Sequence, residues 1–161
     1  MTDKTNLFDL PRPALEAWFA ERGEKPFRAR QLMKWLYHER VSDFDLMTDI
    51  SKTLRERLKQ EAELVFPQII VDKTASDGTR KWVFRYACGN SIESVYIPED
   101  DRGTLCISSQ AGCALACPFC STAHAGFNRN LTTGEIVVQV WMAKELLSCE
   151  RKGNPRLITN I

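Results

Sequence analysis

Cys113, Cys117 and Cys120 stand close together in the run Gly-Cys-Ala-Leu-Ala-Cys-Pro-Phe-Cys-Ser. The spacing C-x3-C-x2-C offers three thiolates from one short loop. A cubic [4Fe–4S] cluster is normally held by four cysteines. Three leave one iron without a protein ligand, and an open metal position separates a reactive site from a structural one. Phe119 lies just before the third cysteine, where an apolar side chain shields a cluster from water and tunes its potential. Two other readings compete. Scattered cysteines are usually small buried hydrophobes, although three in so short a run are seldom that. His124 also completes a Cys3His set with the same thiols, which would hold zinc in a structural module.

The flanking residues favour the cluster. After the cysteines comes Ser-Thr-Ala-His-Ala-Gly-Phe-Asn-Arg-Asn-Leu-Thr, residues 121–132. Before them, over residues 94–110, runs Ser-Val-Tyr-Ile-Pro-Glu-Asp-Asp-Arg-Gly-Thr-Leu-Cys-Ile-Ser-Ser-Gln. The cysteine spacing resembles that of the radical S-adenosylmethionine (SAM) enzymes. With its flanks it resembles the RlmN family, which methylates carbon 2 of adenine in 23S rRNA and in some tRNAs. The resemblance is dense from about Ile92 to Trp141 and looser over the N-terminal third.

That resemblance implies a set of roles. Cys113, Cys117 and Cys120 would ligate the [4Fe–4S] cluster, with the amino and carboxylate groups of SAM on the open iron. Phe119 would border this cofactor site. Cys106, in Thr-Leu-Cys-Ile-Ser-Ser-Gln, would be the thiol that resolves an enzyme–RNA crosslink by forming a disulfide with a methyl-carrying cysteine. Glu93, in Ser-Ile-Glu-Ser-Val-Tyr-Ile-Pro, would be the proton acceptor for the adenine ring. A carboxylate beside a cluster pocket could have the raised pKa that suits such a base. Without the resemblance, Cys106 reads as a buried strand cysteine and Glu93 as a solvated edge residue. The family also implies 23S rRNA and tRNA as substrates, a flavodoxin-type electron donor, and a monomer. A radical SAM enzyme with a different substrate stays open as an alternative, as does a zinc-stabilised RNA-binding module.

Such a loop needs a scaffold, and composition bounds it. A chain of 161 residues can bury one ordinary core. Its 43% apolar and 27% charged residues are those of a soluble globular protein. No apolar stretch approaches membrane-spanning length, and Met1–Asn6 lack the apolar centre of a signal peptide. Six cysteines without an export signal point to the reducing cytoplasm. A net charge of +1 does not announce a nucleic-acid binder.

Three regions follow along the chain: α+β first, then α/β. Residues 1–66 predict a small helical domain, which the resemblance implies is an accessory domain for RNA binding. Pro11 and Pro13 open its first helix and Gly23 closes it. Pro26 opens a second, with Ala29, Leu32, Met33, Leu36 and Tyr37 on one stripe. A third carries Ile50, Leu54 and Leu58. Arg22, Lys25, Arg28, Arg30, Lys34 and Arg40 make the second helix locally basic. Such a run is usually a solvated face, whereas the resemblance favours RNA contact. Phe27, Trp35 and Tyr37 read as core rather than base-stacking platforms.

Residues 67–103 predict an antiparallel β meander, with Trp82, Phe84 and Tyr86 alternating against Val83, Arg85 and Ala87. Asp77-Gly78 suits a type I′ turn. A second turn falls at Cys88-Gly89-Asn90, where Cys88 reads as incidental. Residues 104–161 predict the start of a radical SAM (β/α) barrel. A strand over Thr104–Ser109 carries the cysteine loop at its C-terminal end, where such barrels keep their chemistry. Thr132 and Glu135 form a capping box. They open a helix faced by Ile136, Val137, Val140, Trp141, Ala143, Lys144 and Leu147, with Cys149 structural near its end. Leu157–Ile161 begins a second strand. With about one and a half β/α units in hand, the sequence reads as an N-terminal fragment, inactive alone, of a longer enzyme.

Overall fold

Prolines and a serine start the helices at the N-terminal end of this chain. The structure, a computed structural model, describes residues 4–100, 102–113, 126–148 and 158–161. They fall into two units, Met1–Val65 and Phe66–Ile161. In the first, α1 (Arg12–Ala20) begins after Pro11 with Pro13 in its opening turn. Proline is tolerated there because the first helical N–H groups have no partner in any case. Gly23, at φ +76°, ends the following turn. α2 (Phe27–Met33) begins after Pro26 and runs on into a π-helical turn, Lys34–His38. α3 (Lys52–Glu61) is capped by Ser51, whose hydroxyl accepts from Leu54 N.

Leu15, Phe19, Leu32, Leu36, Met47, Ile50, Leu54 and Leu58 bury a single apolar cluster. Two strands too short to read from sequence close the unit: β1 (Thr5–Asn6) pairs in parallel with β2 (Ala62–Glu63).

The second unit is built on an antiparallel sheet in chain order: β3 (Gln68–Thr74), β4 (Arg80–Arg85), β5 (Ser91–Pro98) and β6 (Gly103–Cys106). Period-two alternation sends Trp82, Phe84, Ile92, Ser94, Tyr96 and Leu105 to the buried face. Its first turn differs from the expected type I′. Only Gly78, and not Asp77, has positive φ. Ala75 O accepts from Gly78 N at 3.0 Å, and Asp77 Oδ1 accepts from Thr79 N at 2.9 Å. The aspartate therefore binds the backbone ahead of it instead of entering the left-handed region.

α4 (Thr133–Ser148) opens with the reciprocal capping box. Thr132 N donates to Glu135 Oε2 at 2.9 Å, and Glu135 N donates to Thr132 Oγ1 at 3.2 Å. Its buried stripe is turned from the expected one. Gly134, Val138, Gln139, Ala143 and Leu147 are buried, while Ile136, Val137, Val140 and Trp141 are only half so. Periodicity of apolar residues missed this because the stripe contains a glycine and a glutamine. Beyond α4, Asn160 bridges Thr104 of β6 in parallel, a β–α–β succession around α4. No helix among the described residues is long and apolar enough to cross a membrane.

Candidate functional site

The cysteine loop leaves and rejoins the sheet unit through a narrow neck. The strand expected over Thr104–Ser109 stops at Cys106. Residues 107–109 leave the ladder because the side chain of Gln139 takes the backbone of Ser108 instead. Its Oε1 accepts from Ser108 N at 2.9 Å and from Ser94 Oγ at 2.9 Å. Its Nε2 donates to Ser108 O at 2.8 Å and to Glu135 O at 3.0 Å. Gln139 is fully buried, and these four bonds saturate its amide. One helix residue thus fixes the turn between Cys106 and Cys113.

Past that turn, β7 (Gln110–Ala111) pairs antiparallel with β8 (Arg129–Asn130). Leu131 N donates to Ser109 O and Asn128 N to Ala111 O, each at 2.9 Å, and Cys113 N to Gly126 O at 3.3 Å. Gly112 has φ +76°, and a β-carbon there would collide with the carbonyl of Gly126. Glycine is therefore required on both counts. Arg129 grips Glu135 through two 2.7 Å bonds, one from each terminal nitrogen. The carboxylate that caps α4 thus also anchors the returning strand.

Cys113 sits at the mouth of this neck, half-buried, with a free thiol. Cys117, Phe119, Cys120 and His124 lie outside the described residues, as does Cys149. Among the described residues no group of three metal-ligating side chains assembles. What is visible fits a thiolate-held cluster at one point: the Cys113 thiol is unpaired, and the ends of its loop are pinned together.

Glu93 and Cys106 share the face of the sheet opposite α4. Glu93 is on β5, and Cys106 on β6 lies directly across from Val95. They are diagonal neighbours, a relation that places α-carbons about 7–8 Å apart. Cys106 is exposed rather than a buried strand cysteine. Glu93 is exposed too, and Lys81 Nζ lies 3.1 Å from its Oε1. It is not a desolvated carboxylate here, because solvent and an ammonium face it. The carbonyl of Glu93 accepts from Ser108 Oγ at 2.8 Å, which ties β5 to the turn that Gln139 holds.

Two residues near the neck escaped sequence reading. Arg129 carried a signal in its place immediately beyond the cysteine loop, three residues before the capping box. Cys88, read from the sequence as incidental, is bonded at the neck: Arg129 Nη2 donates to its sulfur at 3.0 Å and Asn90 Nδ2 at 3.5 Å. The guanidinium holds the Cys88 thiol below its ordinary pKa.

Residues 5–64 match the family described as the ribosomal RNA large subunit methyltransferase N-terminal domain. Over all 161 residues the chain is 73% identical to a dual-specificity RNA methyltransferase RlmN of Dichelobacter nodosus. It covers 44% of that protein's length. The crystal structure of a radical SAM methyltransferase from Sphaerobacter thermophilus superposes with a TM-score of 0.81 at 39% identity. That match covers 91% of this chain and 44% of the other.

Proposed function

We propose that the protein carrying this chain belongs to the RlmN family and is a radical SAM methyltransferase acting on carbon 2 of adenine in 23S rRNA and tRNA. The observation that supports this most is the agreement, through the whole chain, with a dual-specificity RNA methyltransferase. The β–α–β succession from β6 to Asn160 would in this reading open a (β/α) barrel. Carbon 2 of adenine is an electron-poor sp2 centre and a poor nucleophile toward a methyl sulfonium, so a radical route is needed. In this reading Cys113, Cys117 and Cys120 would hold a [4Fe–4S] cluster, which would supply one-electron reduction of SAM once a flavodoxin-type donor had reduced it. Phe119, next to the third cysteine in sequence, would keep water from it.

The chain's other residues then divide the work. The neck of β7 and β8, with Gln139 behind it, keeps the two ends of the cysteine loop fixed, which lowers the cost of ordering what lies between them. Cys106, exposed on the sheet face, is the thiol that resolves the RNA crosslink. Glu93 takes the adenine proton, which requires it to leave Lys81 and enter a drier setting beside the bound base. The enzyme works as a monomer in the cytoplasm.

The test is anaerobic reconstitution of the full-length protein, followed by incubation with RNA, a reductant and labelled SAM. A brown protein with about four irons per chain is expected, and 2-methyladenosine in the digested RNA. Cys113→Ala should remove both, whereas His124→Ala should spare the iron. Stoichiometric zinc in a colourless protein, lost with His124, overturns the reading.

A further inference from the structure

The π-helical turn Lys34–His38 opens a cleft of about 310 Å³ in the helical unit, lined by Arg12, Arg30, Met33, Lys34, Tyr37 and His38. Among the described residues, no acidic side chain lines it. The helix widens here because Glu39 N bonds back five residues to Lys34 O at 3.1 Å. Such single π turns are frequent at functional sites. The next residue, Arg40, has φ +54°, the positive-φ non-glycine residue among the described ones. A non-glycine residue held there is strained, and such strain gathers at ligand sites.

The structure also sorts the basic residues of this region. Arg22 is spent internally: its Nε donates to Glu61 at 2.6 Å, and its guanidinium stacks 3.7 Å from the Trp18 ring centre. Arg28 donates to Gln31 at 2.8 Å and lies over Phe27. In the cleft, Arg12 pairs with Glu16 at 2.8 Å, and Lys34 is a loose 3.9 Å from Glu39. Arg30 is exposed and makes no side-chain bond among the described residues. Tyr37 is half-buried against Phe8, so its ring has a fixed place in the lining.

We propose that this cleft is a nucleotide subsite for single-stranded RNA, with Arg30 and Lys34 on one phosphodiester and the adjoining nucleoside against Tyr37 and Met33. A guanidinium fork recognises a phosphate with two parallel bonds. The aromatic and thioether surfaces offer the base or sugar an apolar wall, which a free phosphate would not use. The volume is near the lower end of small-ligand pockets, room for one nucleotide. The inference rests on the RNA reading above and gives it a specific contact.

The test is binding of a fluorescein-labelled, adenine-containing single-stranded RNA to the full-length protein, followed by anisotropy across a salt series. Arg30→Glu should weaken binding about tenfold or more and flatten the salt slope by at least about one phosphate's worth. The same charge reversal outside the cleft, Lys52→Glu, should weaken it less than about threefold. Unlabelled AMP should compete better than inorganic phosphate, and Arg30→Gln should abolish that difference. Equal losses from Arg30→Glu and Lys52→Glu, or no loss from either, would overturn the subsite. Far-UV circular dichroism checks that each variant is folded, and Arg30→Gln serves if the reversal is not. Affinity is read apart from methyl transfer. A protein that binds RNA through Arg30 yet forms no 2-methyladenosine sinks the enzymatic reading alone.

Discussion

The helical unit and the sheet unit are held together by different means. Among the described residues, everything buried in the helical unit is apolar, from Leu7 and Phe8 through Leu58 to Ala62. The sheet unit buries Trp82, Phe84 and Leu105, but also Arg80, Ser94 and Gln139. Apolar burial is non-directional and favours compactness without fixing an exact path. Hydrogen bonds from a buried amide specify where each partner lies, and they are costly to leave unmade. Among the described residues, the unit that presents the cysteine loop is the one that buries polar side chains to make such bonds.

The largest expected effect lies in the apolar unit. Phe19 is fully buried, packed edge-on against Trp18 at 5.2 Å between ring centres. Phe19→Ala should cost about 3–5 kcal/mol of stability, from lost burial plus the cavity left behind. Urea denaturation followed by tryptophan fluorescence measures it. A loss below about 1 kcal/mol would mean that the helical cluster collapses around the gap, and the contrast between the units would weaken.

Gln139→Leu comes next, and its consequences differ in kind. The substitution keeps a buried apolar stem but strips partners from Ser94 Oγ and from both backbone groups of Ser108. Each orphaned polar group costs about 1–3 kcal/mol, reduced where the turn can open to water. A net loss of about 2–4 kcal/mol is expected, together with poorer iron retention in the reconstituted protein. Phe19→Ala should leave iron retention per folded molecule unchanged. Equal effects of the two variants on iron would remove the claim that Gln139 serves the loop rather than the fold.

The same contrast explains what the sequence disclosed. Helix starts were legible because Pro11, Pro26 and the Thr132–Glu135 pair act locally, through their own backbone geometry. The meander was legible because Trp82 and Phe84 alternate with outward residues. The β1–β2 pairing was hidden, since it joins Thr5 to Ala62 across the whole unit and two residues a side carry no period. Gln139 was hidden because a polar residue on an amphipathic helix is assigned outward by default. Its partners at Ser94 and Ser108 lie far off in sequence. The π turn at Lys34–His38 has no signature in residue type. Of the candidate site, the loop and its spacing were plain, whereas the neck that holds it is tertiary.

The smallest effect expected is a difference in acid response, and it separates the two units again. Asp72 on β3 receives Arg80 in two bonds, Nε to Oδ1 at 2.8 Å and Nη2 to Oδ2 at 2.7 Å. Those hydrogen bonds hold its carboxyl below the usual aspartate value, with burial opposing them and the guanidinium charge adding a smaller push. A group whose pKa is depressed by folding contributes stability above its unfolded pKa, about 3.9 for aspartate. That contribution is lost as pH falls through the lower folded value. Glu61 in the helical unit is lowered in the same direction by Arg57 and Arg22, but as a solvated carboxylate it gains less, because water screens its partners. Asp72→Asn should therefore destabilise the chain at pH 6, and the gap from wild type should close between about pH 4 and pH 2. Glu61→Gln should show a smaller gap over the same range. Equilibrium unfolding at stepped pH reads both. A gap for Asp72→Asn that stays constant down to pH 2 would mean that the pair acts through shape and not charge. The directional holding of the sheet unit would then rest on its neutral bonds alone.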